Sequence, residues 1–407
     1  MKFLGINFSN EKKEVKTEEK KTGFKPADLD FSRIDLPYIK ENDTNRGYIT
    51  YGDRNYTRQI MSLLDVSPLH NRIVQSKANL VSGKGFLIDG IPSIDWVNSN
   101  DMEQSLIFKT FVTNSFNDDW FKVKKYLALD LEISGQFFLE VIWSRDFSKI
   151  NSVKYHPWMN ILPGVKDTEG RINYYYYSDN WNNFSEEIIE IQSFDIESHQ
   201  PNGLTEDELE NYPYEHNQIL MVRNHWPGLE YFGRPSYFGG IADITSSGMI
   251  SEYNVNSIQN GFSPSILATV RKPMSLEEEL IIAKNFKKSF TGITGKKIAL
   301  FFHNGDEDKP VFQPIDVKNI SDQYISLQES VRNSILTAHG ITAPQMFGIE
   351  TPGKLGSAEL DIAWSIFYND IILDNKMMIE RVFNELISIN GFKSYVQFET
   401  KKPFTTE

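Results

Sequence analysis

The chain contains no cysteine. Disulfides, thiolate metal sites and thiol nucleophiles are therefore excluded. No run of about 18 apolar residues occurs, so neither a transmembrane helix nor a membrane partner is expected. The N-terminal stretch Met1-Lys2-Phe3-Leu4-Gly5-Ile6-Asn7-Phe8 is too short for a secretory signal and leads straight into charge. Histidines number seven, and no two stand at i, i+3 or i+4. A helical zinc motif is thus missing, and each histidine is expected to pack or to cap. Positive charge is also short: 42 Lys and Arg face 55 Asp and Glu, a formal net charge of −13. Proteins that read DNA sequence are usually basic, and this chain is not.

Catalytic signatures are missing as well. Gly292-Ile293-Thr294-Gly295-Lys296-Lys297 has two residues between its glycines where a phosphate loop needs four, and Lys297 replaces the Ser or Thr that would touch magnesium. Gly83-Lys84-Gly85 lacks the third glycine of a dinucleotide fingerprint. No Gly-x-Ser-x-Gly elbow appears. No spacing singles out a pair of carboxylates. The residues therefore nominate no catalytic group, no metal ligand and no cofactor, and the chain reads as a non-enzyme. The rival reading is a soluble enzyme, such as a metal-dependent phosphoesterase, whose scattered carboxylates meet only in space.

What the chain does have is size and aromatic content. Its 407 residues are 40% hydrophobic, with 28 Phe, 18 Tyr and 7 Trp. That suits one elaborated fold or two to three domains. Large rings supply area to cores and to subunit interfaces. Residues 9–30 alternate charges of both signs with few apolar residues, which predicts a mobile arm over 1–30. Residues 57–82 read as helical, with Ser67-Pro68 able to open a helix. Shorter helices are expected within Asp95–Asn117 and over Phe121–Ile133. Strands are expected at Phe137–Trp143, Tyr174–Tyr177 and Gln218–Val222, with turns at His156-Pro157 and Pro163-Gly164 and an exposed loop at Asn202-Gly203. The fold class is α+β.

From residue 236 the pattern turns helical, through Tyr237, Ile241, Ile244, Met249 and Val255 to a stop at Asn260-Gly261. A strand over Ser265–Val270 follows. Ser275 and Glu278 form a capping box that opens a helix to about Phe290, and Lys297–His303 is a strand before the turn at Asn304-Gly305-Asp306. Ser321 caps the next helix, whose stripe is Tyr324, Leu327, Val331, Ile335 and Ala338, with Gly340 at its end. Residues 345–357, QMFGIETPGKLGS, are a glycine-rich loop. A long helix begins near Ser357. Leu360, Trp364, Phe367, Ile371, Met378, Val382, Leu386 and Ile389 form one stripe, yet Ile362, Ile366, Ile372, Leu373 and Ile379 lie elsewhere around it. A helix apolar on most sides must be buried from most sides, mid-core in a monomer or wedged between neighbours in a ring.

Three stretches together resemble the portal family of tailed bacteriophages. The first is Ser67–Phe86, SPLHNRIVQSKANLVSGKGF, similar to an early portal helix ending in Gly-x-Gly. The second opens with Tyr231-Phe232-Gly233-Arg234-Pro235-Ser236-Tyr237 and closes, after one helix, with Asn260-Gly261-Phe262-Ser263-Pro264. The third is His339–Gly348, HGITAPQMFG. One departure is the short segment after the long helix, which implies a small crown.

The resemblance implies a portal fold: an arm (1–30), a mixed α/β wing (31–235), a first stem helix (236–262) and a clip (263–318). A second stem helix (319–340), a tunnel loop (341–357), a long wing or crown helix (358–389) and a short C-terminal crown (390–407) would follow. Gly348, Thr351, Pro352, Gly353, Lys354, Leu355 and Gly356 would face DNA in the tunnel. Trp364, Phe367 and Ile371 would form the ring interface. The implied assembly is a homo-dodecamer at one capsid vertex, the conduit for double-stranded DNA in packaging and ejection. Its partners would be the large terminase, the major capsid or scaffolding protein, and a head–tail adaptor. The virion would be its location, and the host cytoplasm during assembly. Residues 265–310 carry eight basic and six acidic residues, +2, which leaves −15 for the rest. A less acidic collar suits successive docking of different partners.

Overall fold

The computed structural model describes residues 36–52, 55–98, 101–113, 119–144, 148–181, 188–195, 200–201, 217–259, 266–271, 298–303, 320–349 and 356–401. All of them belong to the unit Leu36–Glu407. The arm over 1–30, the loop at Asn202-Gly203, the Ser275 capping box with its helix, and the turn at Asn304-Gly305-Asp306 lie outside the described residues.

Strands β1 (Asn42–Asp43) and β2 (Ile49–Thr50) pair antiparallel ahead of helices α1 (Tyr56–Val66) and α2 (Pro68–Ser82). The helical reading of 57–82 holds, with a break at Ser67. The Ser67 backbone is extended, and its hydroxyl accepts the His70 N–H at 3.4 Å. Pro68 takes the first turn, where its missing N–H costs nothing. Strands β3 (Phe86–Ile88) and β4 (Ile91–Pro92) follow, then α3 (Ser93–Val97), α4 (Met102–Thr113) and α5 (Trp120–Ser134). The Asp119 carboxylate caps α5 by accepting the Lys122 N–H at 2.9 Å. Gly135, at φ 78°, ends it in the left-handed region and turns the chain directly into a sheet.

That sheet contains β5 (Gln136–Trp143), β6 (Ile150–His156), β7 (Ile161–Pro163), β8 (Tyr174–Tyr177), β9 (Ile189–Asp195), β10 (Gln200–Pro201) and β11 (Asn217–Arg223). The order is β6-β5-β11-β9-β8-β7, with β10 on β9. β11 runs parallel to β9 and antiparallel to β5. The expected strand at Phe137–Trp143 is present, and its residues from Phe137 to Val141 are all buried, including Glu140, whose carboxylate meets His156. The strands expected from Tyr174 to Tyr177 and at Gln218–Val222 are both present.

Next come helix α6 (Ile241–Gln259), the parallel pair β12 (Ile266–Arg271) and β13 (Ile298–His303), and helix α7 (Ile320–Ala338). α7 starts one residue before Ser321, the expected cap. It closes as expected at Gly340, φ 69°, with the Gly340 N–H on the Thr337 carbonyl and the Ile341 N–H on the Leu336 carbonyl.

The long helix differs from its expected form. It consists of α8 (Ser357–Phe367), one π-helical turn (Tyr368–Ile372) and α9 (Leu373–Ile389). The π turn inserts an extra residue and rotates everything after it. The buried side therefore runs Trp364, Phe367, Ile372, Lys376, Ile379, Phe383 and Leu386. Ile372 and Ile379, which fall off the stripe of an unbroken helix, are the ones brought onto it. Beyond α9, β14 (Val396–Phe398) joins β3 antiparallel and completes a sheet in the order β14-β3-β4. This part of segment 390–407 thus belongs to the body and does not stand apart from it. The Trp120 ring meets Phe383 edge-on at 3.8 Å, and Phe86, Phe383 and Phe398 pack ring to ring, tying α5, α9, β3 and β14 into one core.

Candidate functional site

Helices α6 and α7 lie side by side and antiparallel. At one end a Cβ on Gly240 would fall 2.5 Å from the Ala338 Cβ, so only glycine permits this approach. At the other end the Tyr324 hydroxyl donates to Asn254 Oδ1 at 2.5 Å. Burial changes along the pair. Tyr237, Ile241, Ile244, Val331, Ile335 and Leu336 are buried at the base. Met249, Tyr253, Val255, Ile325 and Leu327 are exposed further out. The apolar stripes legible in the sequence therefore continue beyond the core that would bury them.

The base of this pair is held by buried polar groups. Lys77 Nζ on α2 lies 2.6 Å from Glu132 Oε2 on α5 and donates to Ser236 Oγ at 3.3 Å. Asn375 on α9 donates to the other Glu132 oxygen at 2.8 Å. A buried ion pair needs such extra bonds to offset its desolvation. Beside it, His70 Nδ1 and His339 Nε2 stand 2.9 Å apart, and both rings are buried. Burial, with the Lys77 charge nearby, lowers His70 to about 4 and His339 well below its ordinary value. At neutral pH both are uncharged, so one ring N–H donates to the other ring's lone pair. The Tyr237 ring stands edge-on to His70 at 4.5 Å, and its hydroxyl donates to the Ile133 carbonyl at 2.7 Å. These partners come from α2, α5, α7, α9 and the turn before α6. Sequence reasoning missed them, because up to 269 positions separate the partners and no local spacing announces them.

The motif Tyr231–Tyr237 has a local explanation. A Cβ on Gly233 would lie 2.1 Å from the Gly135 carbonyl oxygen, so two backbones cross here with no room for a side chain. The Gln136 side chain accepts the Gly233 N–H at 2.7 Å. The Glu41 carboxylate accepts the N–H groups of Glu230, Tyr231 and Phe232 at 2.7–2.9 Å. The Arg234 guanidinium stacks between Trp226, 3.9 Å away, and Phe238, 4.4 Å away.

The glycine-rich segment is fixed at both flanks. After Gly340 the chain buries Ile341, Ala343, Met346 and Phe347, and Phe347 meets Phe367 edge-on at 5.3 Å. Gly348 is exposed at φ 70°. On the far side the Gly356 N–H reaches Glu359 Oε2 at 3.0 Å, opening α8. Of the expected tunnel residues, Gly348 and Gly356 are described and exposed, whereas Thr351, Pro352, Gly353, Lys354 and Leu355 lie outside the described residues.

Of the expected ring-interface residues, Trp364 and Phe367 are buried within this chain, and Ile371 is half-buried against Gly340. The outward side of α8 instead presents Ile362, 62% exposed, and Ile366, 51% exposed. Among the described residues, no group of three or more His, Asp or Glu is arranged to hold a metal ion. None of the described helices is long and apolar enough to cross a membrane.

No family model and no curated protein matches the chain. Solved structures do. The chain matches one from the virion of a native gene transfer agent (GTA) particle at TM-score 0.52 and 13% identity, covering 87% of this chain and 86% of the other. It matches another from the neck of an empty GTA particle, computed with C6 symmetry, at TM-score 0.52 and 13% identity, covering 86% and 85%. At that identity the likeness is one of fold.

Proposed function

We propose that this chain is a portal-type ring subunit: a homo-dodecamer at one capsid vertex that passes double-stranded DNA during packaging and ejection. It is a non-enzymatic virion protein in this reading. The single observation that carries it is the pair α6–α7, which leads its apolar residues Met249, Tyr253, Val255, Ile325 and Leu327 out of the chain's own core. Apolar residues left uncovered along one pair of helices suit a repeated neighbour, and a heterologous contact that closes on itself makes a ring. The shared fold with chains of GTA virion and neck structures points the same way.

The charge of the two helices suits a bore. α6 carries Asp243 and Glu252 and no Lys or Arg, and α7 carries Asp322, Glu329 and Arg332. A wall poor in cations neutralises few phosphates and so grips DNA weakly. In this reading residues 341–357 are the tunnel loop, with Lys354 as its one cation. β12 and β13 belong to the clip, where the large terminase and then the head–tail adaptor dock, and the wing meets capsid or scaffolding protein. Ile362 and Ile366 join Ile371 at the ring interface, while Trp364 and Phe367 support that helix from beneath.

Electron microscopy of the purified full chain at high concentration tests this. Closed rings with a central bore are expected. Monomers alone, together with particles that contain no ring, would remove the proposal. Deleting Gly353 to Gly356 should leave rings intact and impair packaging or retention of DNA.

A further inference from the structure

Arg234 carries a charge with no counter-ion among the described residues. Its guanidinium lies between the Trp226 ring at 3.9 Å and the Phe238 ring at 4.4 Å. Rings cover it on two sides, so its N–H groups are left along the rim of the fork. Among the described residues it makes no ion pair and no side-chain hydrogen bond, and its Nε–H is buried with no partner. The carboxylates around this stretch of chain are engaged elsewhere. Glu41 accepts the N–H groups of Glu230, Tyr231 and Phe232. Glu230 pairs with Lys166 at 3.6 Å, and Glu132 with Lys77 and Asn375. The group whose charge would reach Arg234 is the Tyr56 hydroxyl, which is itself buried and unpartnered. Burial pushes that phenol up, so it is neutral and balances nothing, and burial holds the guanidinium below its ordinary value. Two donors of one neighbourhood, Arg234 Nε–H and Tyr56 O–H, thus lack acceptors. A half-buried cation without a partner costs free energy, and a Met in the same place would fill the gap between the rings without that cost.

We infer that this clamp receives a carboxylate of a second copy of the chain, held side-on by the Arg234 Nε–H and one Nη group. The side-on fork takes two oxygens in one plane, which is what a carboxylate presents. Every copy has carboxylates to offer, with 55 Asp and Glu against 42 Lys and Arg. A DNA phosphate is the poorer ligand. A chain of net charge −13 opposes the approach of a polyanion, whereas one carboxylate in contact with the guanidinium feels chiefly that cation. Arg234 also stands two residues before Ser236, where the turn into α6 begins, so the clamp lies at the base of the helix whose outer residues are left exposed. The inference rests on the ring reading for the presence of a second copy.

Cross-linking and assembly test it together. The full chain with Arg234→Lys is prepared in light and heavy isotope forms, which are mixed before assembly. A water-soluble carbodiimide then joins an amine to a carboxylate that it touches. Mass spectrometry should find position 234 joined to an Asp or Glu of the other copy, as peptide pairs of mixed isotope. Pairs of one isotope only, or assembled protein with no link at position 234, would overturn the inference. Arg234→Met keeps an apolar stem between the rings and removes the charge and the donors. Its monomer should melt no lower than the wild type, and its half-assembly concentration in mass photometry should rise about tenfold or more. A lower melt with unchanged assembly would make Arg234 a packing residue and sink the idea. Loss of double-stranded DNA binding in the same variant, with assembly unchanged, would assign the clamp to phosphate instead. Closed rings without the cross-link remove this inference alone, whereas a wild-type chain that never associates removes the ring reading with it.

Discussion

Asp130 shows how much a single buried residue can govern. It is fully enclosed, and one of its oxygens accepts both the Tyr155 hydroxyl at 3.0 Å and the Trp158 N–H at 3.1 Å. Desolvation outweighs those bonds and raises its carboxyl from 3.8 to about 8. A raised acid stabilises the fold fully below the unfolded value and loses that contribution as pH climbs through the folded one. This group should therefore make stability fall as pH rises from the usual carboxylate range towards about 8. Asp130→Asn keeps an oxygen where both donors point and removes the titration. Thermal melts from pH 5 to 9 should be flatter for the variant, with the variant the more stable protein at pH 9. Parallel curves would show that Asp130 titrates normally. Gly233 and Gly240 act through space instead of charge: each lets two backbones approach where a Cβ would collide with Gly135 or Ala338.

At the scale of elements, the π turn Tyr368–Ile372 decides which side of α8 is buried. It is held by neighbours: Lys376 Nζ donates to the Tyr368 hydroxyl at 3.1 Å and to Thr400 Oγ1 at 3.0 Å. Deleting Asn369 would turn the segment into an ordinary α-helix and rotate α8 by about 100° relative to α9. Trp364 and Phe367 would then leave their pockets. Urea unfolding should show a loss of about 3 kcal/mol or more, the scale of removing one large buried ring. A neutral deletion would mean that the bulge does not set the packing. The periodicity of the sequence located this helix, but it treated the stripe as unbroken. An inserted residue is invisible to a pattern read at constant pitch, because the pitch change is stabilised by Lys376 and Thr400, partners outside the window.

Across the whole molecule, exposed apolar residues stand on the outward side of α8 and along the far half of α6–α7. In the proposed reading both suit a repeated copy of the chain. Ile362→Asp with Ile366→Asp should change monomer stability by less than about 1 kcal/mol, since both positions are exposed. The same variant should prevent ring closure, which mass photometry would record as loss of the large species. Rings of unchanged size would place the interface elsewhere.

The helices at 57–82, 236–260 and 321–340, the strands at Phe137–Trp143, Tyr174–Tyr177 and Gln218–Val222, and the breaks at Ser67-Pro68 and Gly340 were legible in the residues, because each rests on backbone geometry and short-range periodicity. So was the excess of apolar surface on the last helices. What only the tertiary structure decided is which apolar residues are spent inside the chain and which remain outside it. Trp364 and Phe367 go inward and Ile362 and Ile366 stay out. Lys77 meets Glu132, and His70 meets His339. Burial is a property of all the surrounding chain at once, and no local pattern contains it.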